Sequence, residues 1–210
     1  MLDPGFIIKV IIISASGALA PGPLTASAVS LGARMGWRAG FNEAVGHTIV
    51  ELPLVLAIAY GLHYVFQIPI VSAAFGIVGG AFLLFFAYLT FRDALRGNFN
   101  VNDALRYGSA IVTGATLSLF NPYFIAWWIG VGTPLIMEAF QSMFLIGIAI
   151  LYVSHVWLDY AWLTLIASLG SMSRLRVSLY RALLIALAVA ITYFGITMLV
   201  SSVKIPLSLL

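Results

Sequence analysis

The chain has no cysteine. Disulfides, thiolate metal sites and thiol redox chemistry are thereby excluded, and the compartment is not readable from cysteine use. Charge is also scarce. Asp, Glu, Lys and Arg make up 8% of the 210 residues, where a soluble domain carries about a quarter. Hydrophobic residues make up 62%, more than a soluble fold of this size can hide. The chain is therefore an integral membrane protein, and its length allows one domain. No basic segment precedes the first apolar run; Lys9 lies inside it. That run is expected to be a retained membrane helix, not a cleavable signal peptide. Gly-x-Ser-x-Gly and His-Glu-x-x-His are both missing, which argues against a hydrolytic enzyme. The arginines are dispersed and few aromatics interleave them, so nucleic acid is not an expected partner.

What the chain has in abundance is long apolar runs, at about 5–31, 41–62, 69–91, 109–135, 139–168 and 182–203. At about 20 residues per crossing, they predict an all-α, polytopic protein with six transmembrane helices. The one polar connection, 92–108, holds Arg92, Asp93, Arg96, Asn98, Asn100, Asn102, Asp103 and Arg106. It divides a single membrane domain, 1–210, into 1–91 and 109–210.

Arginine placement orients this arrangement. Arg34 and Arg38 follow the first run, Arg92, Arg96 and Arg106 the third, and Arg174, Arg176 and Arg181 the fifth. All fall on one side of a six-span chain, and the other side has Lys204. The positive-inside rule assigns the arginine side to the cytoplasm, which places both termini outside. Three spans per half is an odd number, so the second half enters the membrane inverted. This is the inverted repeat of many secondary transporters, which bind substrate near the midplane.

Matching interruptions support the repeat. The first run contains Pro21-Gly22-Pro23 and the fourth contains Asn121-Pro122. Proline removes a backbone donor and clashes with the preceding turn, so helices one and four should break there. Pro23 and Pro122 suit the first position of a new half-helix, with Gly22 and Asn121 as N-caps. Half-helix starts carry unpaired N–H groups and partial positive charge. At membrane depth such backbone is tolerated where it lines a cavity, and two facing starts could hold an anionic group.

Two apolar runs also carry a histidine and an acid four residues apart, His47/Glu51 and His155/Asp159. That spacing puts each pair on one helix face, and ionisable residues inside a bilayer mark functional sites by default. A carboxylate shielded from water can carry a proton, and a histidine near neutrality can share it. The acids could instead bind a substrate's cation, or all four side chains could ligate a divalent metal. The chemistry points to transport. Ser14, Ser16, Thr25, Ser27, Thr113, Thr116 and Ser118 flank the breaks and are expected to pack. Of Trp127, Trp128, Trp157, Tyr160 and Trp162, one or two near the site could hold a cation. His63 is expected at the interface. Gly76-x-x-x-Gly80 permits close helix contact, within the chain or across a homodimer.

Pro21-Gly22-Pro23, then Gly32, Arg34, Gly36, Gly40 and Gly46, resembles the N-terminal signature of LysE-type amino-acid exporters. In that signature a Pro-Gly-Pro in the first helix precedes a glycine-spaced, basic loop into the second. Asn121-Pro122, with Pro134 beyond, resembles the family's second-half motif. The resemblance covers the whole chain in outline and is specific in these two stretches. It implies a plasma-membrane secondary exporter of amino acids or related small metabolites, driven by the proton gradient, with no cofactor beyond the coupling proton. On that reading the half-helix starts take the substrate carboxylate. Glu51 and Asp159, with His47 and His155, take the amine or the proton. Alternating access would come from one repeat rocking against the other. The chain departs from the family at Tyr123, where many members have lysine, and in its two His/acid pairs. The wider superfamily includes metal-ion exporters, so divalent-cation export through those four residues is the alternative.

The orientation is testable because the chain is free of cysteine. In intact cells, a membrane-impermeant maleimide should label a cysteine introduced at either terminus and miss one beside Arg34. Labelling beside Arg34 alone would overturn the orientation.

Overall fold

The structure, a computed structural model, describes residues 4–66, 68–96, 109–171 and 177–203. Among these every regular element is a helix. Helices α1 (Pro4–Ala18) and α2 (Pro23–Met35) meet at a 72° bend. The bend falls at Pro21-Gly22-Pro23. Gly22 is extended and caps α2, and Pro23 opens it. Helix α3 (Trp37–Ala59) follows after Gly36, whose φ of 64° is the left-handed region that glycine enters freely. A single turn, α4 (Leu62–Val65), leads to α5 (Pro69–Arg96).

The second half begins with α6 (Ala110–Leu119), capped by the Ser109 hydroxyl on the Val112 N–H. It breaks at Phe120-Asn121 and resumes as α7 (Pro122–Trp127). A π-helical turn (Trp128–Gly132) joins α7 to α8 (Thr133–Ser171), and α9 (Val177–Val203) completes the chain. Among the described residues four helices are long and apolar enough to cross a membrane, five if the bent α1–α2 pair is one crossing.

One of these, 122–171, runs for 50 residues. It contains non-helical backbone at Met143 and at Phe144, whose φ is 51°. Gly147 packs directly on the backbone of Ala139. Residues eight apart in a straight helix stand about 12 Å apart, so the chain reverses here. The sequence placed this boundary at 136–138. Residues 136–138 are instead helical, and Glu138 pairs with Lys9 of α1.

Packing is set by glycine. A Cβ at Gly32 or Gly40 would overlap the backbone of Ala167 or Leu163 in α8. One at Gly46 would overlap Ile111 in α6, and one at Gly114 would overlap Glu43 in α3. Backbone-to-backbone approach therefore joins α2, α3, α6 and α8. Helices α5 and α9 pack mainly on each other, with Gly76 against Ser202 and Gly80 against Leu199. The Gly76-x-x-x-Gly80 stripe is thus used within the chain.

Asn98, Asn100, Asn102, Asp103, Arg106, Arg174, Arg176 and Lys204 lie outside the described residues, as do the side chains of His63, Asp93 and Arg96.

Gly40→Ala is expected to lower stability by about 1–3 kcal/mol, because backbone cannot rotate aside as a side chain can. Gly130→Ala is the control, with nothing within 4 Å of its Cβ position. Equal melting temperatures for the two variants in detergent would refute the close-packing account.

Candidate functional site

The interrupted helices and the His/acid pairs meet at one cavity. Its lining includes Pro21, Gly22 and Pro23 from the first break, Asn121 and Tyr123 from the second, and His47, Glu51, His155 and Asp159. Pro122 is buried and packs its ring toward Gly79 of α5. The remaining wall is apolar or aromatic and includes Leu83, Leu163, Ile191, Phe194, Trp127 and Trp128. No lysine or arginine among the described residues lines it.

Local sequence explains the two ends. Gly22 has no side chain to cap α2, so the first N–H groups of that helix are left without a capping side chain. Asn121 differs: its Oδ1 accepts from the Tyr123 N–H at 3.1 Å. The α2 start is therefore the more open of the two toward a ligand. Beside it, Thr25 Oγ1 donates to Ala20 O at 3.2 Å, across the break.

At the centre is Glu51, 1% exposed. Its Oε1 stands 3.1 Å from each of three nitrogens, His47 Nε2, His155 Nε2 and Trp128 Nε1. His155 Nε2 is also 3.2 Å from Asp159 Oδ2. The acid of one helix is thus bridged to both histidines. His47 is oriented from behind by Ser118, with Nδ1 and Oγ 2.7 Å apart. Ser118 spends its proton on Gly114 O, also at 2.7 Å.

That last bond permits a proton count. The Ser118 hydroxyl is already donating, so it accepts from His47, and Nδ1 carries a proton. A neutral His47 then has a bare Nε2 facing Glu51. The contact is favourable when one further proton lies between them, as imidazolium with carboxylate or as imidazole with carboxylic acid. Either way the pair holds a proton that it can share.

Several polar atoms remain unspent. Among the described residues Glu51 Oε2 and His155 Nδ1 are buried without a hydrogen-bond partner, and Asp159 Oδ2 has only the His155 Nε2 approach at 3.2 Å. Buried polar atoms are paired as a rule, so these under-satisfied atoms on one cavity mark a place where a ligand, a proton or water is accommodated. Ligand atoms of His47, Glu51 and Asp159 lie within 4.8 Å of one another, close enough for a metal ion. His155 does not join that set.

Aromatic rings close the site. The Trp128 and His155 ring centroids are 4.8 Å apart, as are those of His47 and Phe124. Trp127 lies 5.8 Å from His155 and donates to Ser16 at 3.2 Å. Two of the expected packing residues bond locally: Ser16 bonds Ile13 O and Thr113 bonds Ser109 O.

Sequence reasoning did not single out the Trp128–Glu51 contact or the π-helical turn that starts at that tryptophan. A π turn inside an α-helix often sits at a functional site, but its register shift has no composition signal. It also missed Glu43, fully buried on α3. The signal for it was present, since Glu43, His47 and Glu51 are spaced by four.

The model of the LysE type translocator family matches residues 15–202. No curated protein and no solved structure is significantly similar to the chain.

The proton count is checked by 15N NMR of histidine-labelled protein. The His47 Nδ1 signal should be that of a protonated nitrogen and should change in Ser118→Ala. A bare Nδ1 in the unaltered protein would remove the basis for the count.

Proposed function

The chain belongs to the LysE type translocator family, a family of membrane transporters rather than enzymes, and on that premise we propose that it exports a zwitterionic amino acid, or a related small metabolite, by proton-coupled alternating access. One observation carries the reading: both helix breaks and both His/acid pairs line a single cavity. The substrate carboxylate sits at the uncapped start of α2, where N–H groups and the helix dipole favour an anion. The ammonium is taken by the unspent oxygens of Glu51 and Asp159, beside the faces of Trp127 and Trp128. The side chain meets Leu83, Ile191 and Phe194, a wall with no polar partner to offer. Neutral amino acids with apolar side chains fit this arrangement best.

The coupling proton is the one shared by His47 and Glu51. A substrate ammonium on Glu51 competes with that proton for the same oxygens. Proton and substrate therefore exclude each other, as exchange in opposite directions requires. Transport runs across the plasma membrane with the arginine-bearing turns inside.

We further read the architecture as six crossings in two inverted halves, 1–91 and 109–210, joined by 92–108. The contact pattern supports this. Exchanging the halves maps the α3–α8 and α5–α9 contacts onto themselves. The halves are interleaved, since most of these contacts cross between them. Rocking of one intact half against the other would break them all. The natural moving unit is the α5–α9 pair, which carries Leu83, Ile191 and Phe194 on its inner face.

Divalent-cation export is the second reading, favoured by the three close ligand atoms of His47, Glu51 and Asp159. Against it, Glu51 Oε1 is already surrounded by three nitrogens, and family membership lends it no support.

Thermal stabilisation of the purified protein separates the two. At a hundred times its Kd, a ligand adds about 2.7 kcal/mol to the folded state. Leucine, methionine or another neutral apolar amino acid should raise the melting temperature, and lysine should not. A shift with divalent metals alone, abolished by His47→Ala, would transfer the assignment to cation export.

A further inference from the structure

Among the described residues, Glu43 is the one fully buried acid that the transport site does not use. It is 0% exposed, and neither carboxylate oxygen has a hydrogen-bond partner among the described residues. The Ser27 hydroxyl of α2 is near it but outside hydrogen-bond geometry. Its surroundings are closed at backbone contact. Gly114 of α6 presses on the Glu43 backbone, Gly46 on Ile111, and Gly40 on Leu163 of α8. A carboxyl group sealed in such a joint costs stability and returns no packing advantage over an apolar residue.

Its position supplies a reason. Glu43, His47 and Glu51 occupy successive turns of one face of α3, each about 6 Å along the axis from the next. Glu51 is at the cavity. His47 is one turn closer to Gly36, and Glu43 one turn closer still. That end of α3 is the turn bearing Arg34 and Arg38, the side that the positive-inside rule assigns to the cytoplasm. The three residues form a file of proton-exchanging groups from the site to the inner end of the helix.

We propose that Glu43 is the inner proton station of the transport cycle, passing the coupling proton between His47 and the cytoplasm. The proposal rests on the proton-coupled reading of the cavity. The His47 imidazolium, its ring turned away from Ser118, gives its Nδ1 proton to the Glu43 carboxylate through one water and is left as neutral imidazole. The resulting carboxylic acid releases that proton to cytoplasmic water, and His47 recovers a proton from Glu51. Atoms and charge balance, and no co-reactant is needed. Glu43 does not touch substrate in this scheme. It is a relay group, and its loss should uncouple transport without abolishing substrate exchange.

The test uses the full chain in proteoliposomes with L-leucine as probe. Two rates are measured: leucine exchange with no gradient, and leucine accumulation driven by an imposed pH difference. For Glu43→Gln, exchange is expected to stay within about twofold of the unaltered protein, while gradient-driven accumulation falls about tenfold or more. Glu43→Asp should restore part of the accumulation, and a merely structural role predicts no such split. Accumulation at the unaltered rate in Glu43→Gln overturns the relay, and so does parallel loss of both rates in a folded variant. Should Glu43→Gln fail to fold, Glu43→Leu carries the same expectation and the same overturning outcomes. Absence of gradient-driven leucine transport in the unaltered protein removes the proton-coupled leucine reading itself, and the relay with it. Failure of the relay alone shows as an intact parent and a fully coupled variant.

Discussion

A charge or an unpaired backbone group in hydrocarbon has nowhere to go but inward, and the arrangement of this protein follows from that constraint. The chain places two helix breaks and two His/acid pairs within its apolar runs. Each would be costly facing lipid. Gathered at one place, they answer one another. Glu51 Oε1 takes three nitrogens at 3.1 Å, and the opened backbone at Gly22 and Asn121 faces the same cavity. Lys9, within the first apolar run, and Glu138, between the fourth and fifth, pair across α1 and α8.

Gathering polar groups at the centre requires helices that come close enough to reach one oxygen from three elements. Side chains of ordinary size hold helix axes about 8–10 Å apart. Here Gly32, Gly40, Gly46 and Gly114 bring α2, α3, α6 and α8 to backbone contact. The glycine spacing and the His/acid pairs are therefore one device. The glycines set the distance, and the pairs use it. The α5–α9 pair is held differently. It packs mainly on itself, and its face toward the cavity is Leu83, Ile191 and Phe194. Apolar surfaces without interlocking polar bonds can separate and re-form at low cost, so a moving element belongs there rather than in the α3–α8 joint.

Much of this was legible in the residues. Proline chemistry located both breaks and named both caps, because its effect on backbone is local. The spacing of four located His47/Glu51 and His155/Asp159 for the same reason. Convergence of the two pairs was not legible, since helix rotation is set by packing between distant segments. The hairpin at Met143 and Phe144 was missed because neither residue is a turn former; tertiary packing imposes the reversal. Trp128 was one of five tryptophans and tyrosines with equal claims, and the π turn at its position leaves no mark in composition. Glu43 was on the page at the right interval but lacked a histidine partner, and the search was for pairs.

The two halves are alike in plan and unlike in detail, and the differences bear on direction. The first break ends in Gly22, which leaves the start of α2 uncapped. The second ends in Asn121, whose side chain occupies the Tyr123 N–H. The first half holds its acid at the cavity with a second acid, Glu43, deeper on the same face. The second half has Leu151, also buried, at the corresponding position four residues before His155. An inverted pair of identical halves would treat the two membrane faces equally. Here the anion-favouring helix start and the file of acids both belong to the first half. In the proposed exchange the substrate carboxylate is held against the same half that manages the proton, so competition between the two ligands follows from their sharing one set of oxygens and needs no signal relayed between halves.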